Sequence, residues 1–397
     1  MKKIVLGSEI FTRGVADIVT REELLARIKK GKPLRVKHGI DATAGELHIG
    51  HAASLWKLRA LQEAGHKAVI LFGDVTTAIG DPTGRSKARP VLPAETINSN
   101  IRSIERQIRA ILLTDPKVLE THKSSEWYAK MPAPEFLRLL SLVTHARLVE
   151  REMFRERIKA GTEIFAHEFV YPILQGYDSV KLRADMTVIG HDQLFNEHMG
   201  RFLQEKFVQD PQIIMALSIL PGLDGGEKMS KSTGNYIGLL DSSGDKFGKA
   251  MRLRDALIIT YLEHYTDVPL PEIRVLEKGL AGGKNPMEAK LFFAEALVKR
   301  YHGAKQAKKE KDKFLAVFSK REMPEDIPVA KITPGSYFLP DLLLRLKFAR
   351  SKSEARRLIV QGAVEVGGSV IRELKKPLEI RAGELMRVGK RRMVKIR

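Results

Sequence analysis

The chain of 397 residues contains no cysteine, too few acidic residues to balance its basic ones, and no long apolar run. The absence of cysteine excludes a disulfide scaffold, a cysteine-ligated zinc or iron–sulfur site and a thiolate nucleophile. No apolar run approaches the ~18–20 residues that cross a bilayer, so no membrane partner is expected. The chain begins like a signal peptide, but Glu9 and Arg13 interrupt the apolar stretch. We therefore expect a cytoplasmic protein.

Positive charge is in excess and unevenly distributed. Lysine and arginine outnumber aspartate and glutamate by 68 to 48, which gives a formal net charge of +20. A hydrophobic content of 43% is too high for a disordered chain, and the length is typical of two to three domains. Residues 337–397 hold 16 Lys and Arg against 6 Asp and Glu. Half of the excess charge thus lies in the last sixth of the chain, which indicates a polyanionic partner.

The first half of the chain alternates between strand and helix patterns. Residues 34–40, 67–73 and 186–190 are predicted strands, and residues 54–65 form an amphipathic helix. The second strand is almost entirely apolar, as in strands that are buried on both faces. The alternation predicts an α/β fold, with a Rossmann-like, doubly wound parallel sheet in a catalytic domain over residues 1–240.

The rest of the chain predicts three further parts. Residues 241–325 have helical patterns and predict an all-α domain, residues 326–336 a proline-containing linker, and residues 337–397 a small α+β domain. In the last part, Ser351 and Glu354 form a capping-box pattern. A hairpin signal at 364–371 and one basic closing strand over 386–397 follow.

The small C-terminal domain is predicted to bind a polyanion through its surface cations. Lys352, Arg356 and Arg357 lie on its short predicted helix, beside a basic sheet. A charged surface that only aids solubility is the alternative, and the scarcity of acidic residues disfavours it.

A stretch at one predicted strand–helix junction is suited to a phosphate. His48 and His51 are three residues apart at the start of the helix, so both can face one ligand. The free N–H groups and partial positive charge of a helix N-terminus favour an anion. Gly50 lets a base or ribose approach the backbone closely. Two histidines in such a place are also ordinary, and a metal pair lacks an evident third ligand.

A second segment, residues 225–234, is flanked by glycines and carries Lys228 and Lys231. Its weak apolar periodicity predicts a mobile loop that brings both lysines onto phosphates. Taken alone, it is also compatible with a plain basic loop.

The two segments are far more specific together. His48-Ile-Gly-His51 and Lys228-Met-Ser-Lys-Ser232 resemble, letter for letter, the two signatures of class I aminoacyl-tRNA synthetases. Residues 79–85, 171–178 and 190–193 resemble the pattern of the bacterial tyrosyl-tRNA synthetases within that class. The C-terminal domain resembles the S4 RNA-binding domain that these enzymes carry, so the similarity spans nearly the whole chain. This resemblance implies that the partner is RNA, bound by Lys352, Arg356 and Arg357.

This resemblance implies a two-step ligase reaction. L-Tyrosine and ATP form tyrosyl-adenylate and pyrophosphate, and the tyrosyl group then passes to the 3′ end of tRNA(Tyr). The partners implied are tRNA(Tyr), tyrosine and ATP. Mg²⁺ is expected to enter with ATP, carried by phosphates and waters. The resemblance also implies a homodimer, with no tightly bound cofactor and no metal held by the protein. The helical domain is expected on the anticodon side of the tRNA. Since the substrate carboxylate attacks the α-phosphate in line, catalysis needs positioning and charge stabilisation and no enzyme nucleophile.

The resemblance also implies roles for individual residues. The catalytic residues at the triphosphate are His48, His51, Arg85, Arg89, Lys228 and Lys231. The residues implied in ATP binding are Asp41, Thr43, Gly50, Gly190, Asp192, Gln193, Met229, Ser230 and Ser232. Those implied in tyrosine binding are Lys37, Thr76, Asp81, Tyr171, Gln175 and Asp178. Among the last, Asp178 is the implied acceptor of the phenol hydroxyl.

Three positions depart from the family pattern. Many relatives have a tyrosine where this chain has Lys37, so phenol recognition depends on Asp178 alone or on another group. Ala42 stands where proline is usual. His191 replaces a small residue, either as a new ligand or as a larger packed side chain, and the second is favoured.

Three rival functions remain open from the residues. A tryptophanyl-tRNA synthetase shares the fold, and an indole N–H would also pair with an acid. A non-catalytic, synthetase-derived RNA-binding protein would be expected to lack one signature, and both are whole here. A small-molecule nucleotidylyltransferase leaves the C-terminal domain unexplained.

Overall fold

The computed structural model describes residues 8–80, 92–231, 233–318, 327–330, 332–373, 377–389 and 392–397. The chain forms two compact units, residues 1–311 and residues 312–397.

The first unit contains a six-stranded sheet. Its strands are β1 (Val15–Val19), β2 (Arg35–Ile40), β3 (Lys67–Phe72), β4 (Leu119–Lys123), β5 (Met186–Gly190) and β6 (Ile213–Leu217). Their order is β1-β6-β5-β2-β3-β4, and all neighbours are parallel except β1 and β6. The predicted parallel sheet is confirmed, with the predicted strands as β2, β3 and β5. The antiparallel edge strand β1 was not predicted.

Helices cover this sheet and continue beyond it. They are α1 (Glu9–Thr12), α2 (Arg21–Lys30), α3 (Ile49–Glu63), α4 (Asp74–Ile79), α5 (Ala94–Arg109), α6 (Ser125–Tyr128), α7 (Ala133–Ser141), α8 (His145–Val149), α9 (Glu152–Lys159), α10 (Ala166–Leu182), α11 (Leu194–Lys206), α12 (Ser243–Ala250), α13 (Ile258–Tyr265), α14 (Leu270–Ala281), α15 (Pro286–His302) and α16 (Ala304–Phe318). Two 3₁₀ turns span His191–Gln193 and Asp255–Leu257. Over the described ranges, no helix is long and apolar enough to cross a membrane.

The core between sheet and helices follows from the apolar spacing of the sequence. All five residues of β6 are buried, as are the isoleucines of α5 at positions 97, 101, 104 and 108. Their spacing of three and four residues places them on one helix face. Burying each such side chain stabilises the fold by roughly 1.5–3 kcal/mol.

Helices α10 and α11 approach each other closely at two glycines. A Cβ atom on Gly176 would lie 2.9 Å from the backbone carbon of Met199. A Cβ on Gly200 would lie 2.7 Å from Gln212 Nε2 and 3.0 Å from Ser179 Oγ. Because no side chain separates the two helices there, polar groups on both can meet.

A Gly176→Ala substitution is expected to lower the free energy of unfolding by about 1–3 kcal/mol, because the added methyl overlaps the backbone of α11. Urea unfolding followed by circular dichroism measures it. Gly248→Ala is the matched control: a Cβ at Gly248 in α12 would meet no described atom within 4 Å. That change is expected to stabilise the chain by about 0.4–1 kcal/mol. Equal effects at the two glycines would contradict the close packing of α10 and α11.

The second unit combines short strands with two helices. They are β7 (Val329–Ala330), β8 (Gly335–Tyr337), α17 (Leu339–Arg345), α18 (Lys352–Val360), β9 (Val364–Val366), β10 (Ser369–Val370), β11 (Leu378–Ile380), β12 (Leu385–Val388) and β13 (Arg392–Ile396). One sheet has the order β10-β9-β12-β13-β7, and β11 pairs with β8. Strands β7 and β8 occupy parts of the segment expected as a linker.

Local predictions in this unit had mixed outcomes. Ser351 caps α18 by accepting from the Glu354 N–H at 3.2 Å, as predicted. Gly367 and Gly368 have φ of 56° and 86° and turn the predicted hairpin. The single closing strand was wrong: β12 and β13 are two antiparallel strands. Gly389, at φ 64°, ends the first of them in the left-handed conformation that glycine tolerates.

Candidate active site

The sheet topology places a crevice between β2 and β5. From β2 the chain order runs outward to β3 and β4, whereas β5 and β6 lie on the other side of β2. In such sheets, ligands bind at the carboxyl ends of the strands where the order reverses. Asp41 follows β2 directly, and Gly190 and Asp192 lie at the end of β5. Residues far apart in sequence therefore meet at this edge.

A cavity of about 380 Å³ opens there. The implied site residues that line it are Lys37, Asp41, Thr43, His48, Gly50, His51, Thr76, Tyr171, Gln175, Asp178, Gly190, Asp192, Gln193, Lys228 and Met229. Ser230 and Lys231 are not among its lining residues. The implied residues Asp81, Arg85, Arg89 and Ser232 lie outside the described residues.

His48 and His51 stand together at the start of α3. His48 is the N-cap residue, and the centroids of the two rings are 3.8 Å apart. The backbone N–H of His48 donates to Nδ1 of His51 at 3.2 Å. Because that nitrogen accepts, the neutral ring of His51 carries its proton on Nε2. His51 can therefore donate a hydrogen bond from Nε2 to a ligand oxygen.

Both imidazoles are held in the neutral form. Burial, and then the charges of Lys231 and Lys228, lower the pKa of His48 to about 4. Burial and the neighbouring imidazoles lower the pKa of His51 well below its ordinary value, although part of that side chain is open to solvent. At neutral pH the pair offers hydrogen bonds without positive charge. Among the described residues of the two signatures, the charge for a polyanion must come from the lysines.

The two lysines of the second signature pair with carboxylates near the cavity. Lys228 Nζ lies 3.0 Å from Asp192 Oδ2, and Lys231 Nζ lies 3.1 Å from Glu46 Oε2. The Lys228 side chain is 61% exposed, so its ion pair is worth at most about 1 kcal/mol and is readily exchanged. Lys228 is therefore free to move to another anion.

Backbone hydrogen bonds tie the first signature to the chain just after the second. The N–H of Ile49 donates to the Ile237 carbonyl at 3.0 Å, and that of Leu239 to the Leu47 carbonyl at 2.8 Å. The buried ammonium of Lys246 donates to the carbonyls of Leu239 and Asp241 at 2.8 and 2.6 Å. The end of the lysine segment is thus anchored beside His48.

A second part of the cavity has buried acceptors. The hydroxyls of Tyr171 and Thr76 donate to the two carboxylate oxygens of Asp41, at 3.0 and 2.8 Å. Tyr171, Gln175 and Asp178 lie on the single helix α10, as their spacing predicts. Trp127 Nε1 donates to Asp178 Oδ1 at 3.0 Å. Burial raises the pKa of Asp178 to about 7, against the opposing charge of Lys37.

Lys37 has protein partners below the cavity. Its side chain is 1% exposed, and Nζ donates to Ser179 Oγ at 2.6 Å and to Glu197 Oε2 at 2.9 Å. Glu197, which lines the cavity, was missed by the sequence analysis. It lies four residues after Gln193, and that helical spacing is the signal that could have found it.

Other lining residues were also missed. His38 follows Lys37 in β2, and its Nδ1 donates to the Val188 carbonyl at 2.7 Å, which leaves Nε2 as an acceptor. Tyr265 reaches the cavity from α13, far along the chain, where no sequence motif marks it. His191 is solvent-exposed, so the favoured interpretation of it as a packed side chain was wrong.

The implied RNA-binding residues lie in the second unit. Lys352, Arg356 and Arg357 are exposed on α18. Lys352 Nζ forms an ion pair with Asp341 at 2.7 Å, and both side chains are more than half exposed.

The family of tRNA synthetases class I (W and Y) matches residues 29–319, and the S4 domain matches residues 339–382. The chain therefore belongs to the class I tRNA synthetases of the W and Y group. The tyrosine–tRNA ligase of Moorella thermoacetica is 43% identical over 98% of this chain and 94% of its own length. That of Thermotoga maritima is 41% identical over 98% of this chain and 96% of its own length.

Solved structures share the fold of the chain. A C-terminally truncated mitochondrial tyrosyl-tRNA synthetase from Aspergillus nidulans matches with a TM-score of 0.63 and 22% identity, over 77% of this chain and 92% of its own. Plasmodium falciparum tryptophanyl-tRNA synthetase matches with a TM-score of 0.59 and 16% identity, over 77% and 84%. Because the fold is common to both, it does not choose between tyrosine and tryptophan.

Proposed function

We propose that this chain is a tyrosine–tRNA ligase. It joins L-tyrosine and ATP into tyrosyl-adenylate and pyrophosphate, and then passes the tyrosyl group to the 3′ end of tRNA(Tyr). The observation that carries the proposal is one cavity whose lining includes His48, His51 and Lys228 together with the buried acceptor Asp178. The near full-length relatives with this name support the choice of tyrosine.

The first signature and the lysine segment receive the triphosphate in this proposal. ATP enters as its magnesium complex, with the metal held by phosphates and waters. Lys228 leaves Asp192 for the phosphates, and Asp192 then accepts from the ribose hydroxyls. His51 donates from Nε2 to the phosphate chain. The tyrosine carboxylate attacks the α-phosphorus in line, pyrophosphate leaves, and the cations stabilise the charge that builds on it.

The remaining polar residues hold the amino acid. Asp178 accepts from the phenol hydroxyl, while Tyr171 and Gln175 accept from the α-ammonium together with Asp81. Thr76 acts through Asp41, to which its hydroxyl donates. Lys37 acts through Glu197, since its described hydrogen bonds go to that carboxylate and to Ser179. The proposed tyrosine site thus has residues that contact the substrate and buried residues that hold those side chains in place.

Amino-acid-dependent ATP–pyrophosphate exchange, measured with each of the twenty amino acids, tests the proposal. Exchange with tyrosine alone is expected. Exchange with tryptophan instead would assign the chain to the sister activity, and no exchange with any amino acid would indicate a non-catalytic protein. Sedimentation of the purified chain would test the homodimer that the same proposal includes.

The exposed cations of α18 are proposed to bind the tRNA backbone. A variant with Arg356→Glu and Arg357→Glu is expected to weaken tRNA binding at least 10-fold, because two phosphate contacts become repulsive. The slope of log K for tRNA binding against the logarithm of the salt concentration should become shallower by roughly 1–2. ATP–pyrophosphate exchange should stay within about 2-fold of the unaltered chain.

The control variant reverses the charges of Lys29 and Lys30, which are exposed at the end of α2 in the first unit. It changes the net charge equally and is expected to leave tRNA binding within about 3-fold. Equal losses in the two variants would indicate a general charge effect, and no binding role would then remain for α18.

A further inference from the structure

A buried carboxylate at the amino-acid part of the cavity accepts four hydrogen bonds from three protein side chains. Glu197 is 2% exposed on α11 and pairs with the ammonium of Lys37. Gln175 Nε2 donates to Glu197 Oε1 at 2.8 Å, and Gln212 Nε2 to Glu197 Oε2 at 2.6 Å. An ionised carboxylate accepts hydrogen bonds and donates none. The amide of Gln175 must therefore turn its nitrogen toward Glu197.

The oxygen of Gln175 and the oxygen of Gln193 share one donor, the amide of Asn196. The oxygen of Gln175, turned away from Glu197, accepts from Asn196 Nδ2 at 2.9 Å. The same Nδ2 donates to Gln193 Oε1 at 2.8 Å. An amide nitrogen carries two N–H donors, so the bond from Asn196 to Gln193 does not depend on the bond from Asn196 to Gln175. Gln193 must turn its oxygen toward Asn196 and its nitrogen the other way.

Two of these amides line the cavity, and they present opposite polarities to it. Gln175 and Gln193 are both lining residues. An amide oxygen has two lone pairs, so Gln175 Oε1 can accept from a second donor besides Asn196. With its oxygen on Asn196, the amide of Gln193 has its nitrogen as the donor end. An ammonium suits the first amide, and a carboxylate or phosphate suits the second.

We propose that Glu197 is a positioning residue that, through Gln175, fixes how the cavity recognises the ammonium of an α-amino acid. The substrate ammonium meets the oxygen of Gln175, and the substrate carboxylate meets the nitrogen of Gln193. This inference rests on the proposed function, because it takes both glutamines to face the amino acid. Lys37 supplies the counter-charge to this buried carboxylate, 2.9 Å away.

A purely structural ion pair is the competing explanation. A buried pair often contributes little net stability, and removing one partner is costly because it leaves the other charge unpaired. Loss of Glu197 would then weaken every ligand alike. If Glu197 instead orients Gln175, only ligands that carry an ammonium should bind more weakly without it, because only they depend on the oxygen of Gln175.

Three phenols separate the two explanations: tyrosine, tyramine, which lacks the carboxylate, and 3-(4-hydroxyphenyl)propanoate, which lacks the ammonium. Their dissociation constants are measured by calorimetry with the full-length chain and with Glu197→Gln. A glutamine at 197 can itself donate, so it releases the amide of Gln175 to rotate. Binding of tyrosine and tyramine is expected to weaken about 10–100-fold. The propanoate should change less than 3-fold.

Two further variants control for stability. The double variant Lys37→Met with Glu197→Gln removes both buried charges. Its melting temperature is expected to return toward that of the unaltered chain, whereas the stronger binding of ligands that carry an ammonium is not expected to return. Glu120→Gln breaks pairs with Arg35 and Lys67, at 2.8 Å each, and Glu120 does not line the cavity. It should leave the ratio of tyrosine to propanoate affinity unchanged.

The outcomes are distinguishable. Equal weakening of all three phenols in Glu197→Gln, or return of the ammonium preference in the double variant, would overturn the positioning role. If the unaltered chain binds none of the three phenols, the proposed function fails and the inference fails with it. A loss confined to the two ammonium-bearing ligands supports it.

Discussion

An Asp178→Asn variant is expected to lower kcat/KM for tyrosine in ATP–pyrophosphate exchange about 10²-fold. The carboxylate is 2% exposed and already accepts from Trp127, so a phenol hydroxyl meets a charged acceptor away from bulk water. Hydrogen bonds to charged groups contribute more than neutral ones, and an unmatched buried donor adds its own cost. Asparagine keeps the shape and loses the charge. The preference for tyrosine over phenylalanine should fall with it.

The same variant is expected to be more stable than the unaltered chain at pH 8. The pKa of Asp178 is raised to about 7 by burial, whereas in the unfolded chain it lies near ~3.9. Between these pH values the folded chain holds a proton that the unfolded chain has released, so rising pH lowers stability until about pH 7. Asparagine has no such proton, so its advantage should reach roughly 2–4 kcal/mol at pH 8.

Urea unfolding at pH 4.5 and pH 8, beside exchange kinetics, measures both effects. The stability advantage should shrink as pH falls from 7 toward the unfolded pKa of ~3.9, because below that value both folded and unfolded chains hold the proton. A variant that lost stability together with activity would indicate that Asp178 supports the fold, and the proposed contact with the phenol would be withdrawn.

Lys228→Met is expected to lower kcat for exchange by about 10²–10³-fold, because a charge aimed at the leaving pyrophosphate is removed while the aliphatic stem is kept. KM for tyrosine should change little, since Lys228 is assigned to ATP. The side chain is 61% exposed, so the free energy of unfolding should stay within about 0.5 kcal/mol.

Lys309→Met is its matched control, because it removes the same charge from an exposed position on α16. If Lys228 acted only by attracting ATP through the net charge of the protein, both variants would lower kcat equally. A direct contact with the phosphates would lower kcat in Lys228→Met alone. Comparable kcat values for the two variants would exclude Lys228 from the reaction.

Much of the fold was predictable from local pattern. Strands β3 and β5 are apolar enough to be recognised alone, the segment 34–40 that contains β2 has apolar residues at 34, 36 and 40, and the alternation with helices implies parallel pairing. Strand β1 was not predictable in this way. Its five residues show no clear burial alternation, and its partner is β6, almost two hundred residues later. The closing pair β12 and β13 was read as one strand because a single glycine turn is a weak signal within a basic run.

The site was predictable where residues stand in a motif and unpredictable where they meet by packing. His48, His51 and Lys228 were implied by their signatures. The pairing of Lys37 with Glu197 depends on how closely α10 and α11 approach, which two glycines set. Nothing in the sequence indicates that a lysine on one strand will pair with a glutamate on a distant helix.

The backbone bonds between Leu47 and Leu239 have a consequence for synthesis on the ribosome. The first signature emerges about 190 residues before the segment that completes it. At ~5–20 residues per second this interval lasts roughly 10–40 s. Until β5 emerges, β2 and β3 can already pair, but the edge of β2 that later receives β5 stays open. A chain interrupted before β5 lacks the lysine segment and carries an unpaired strand edge, which makes it a substrate for chaperones before it is an enzyme.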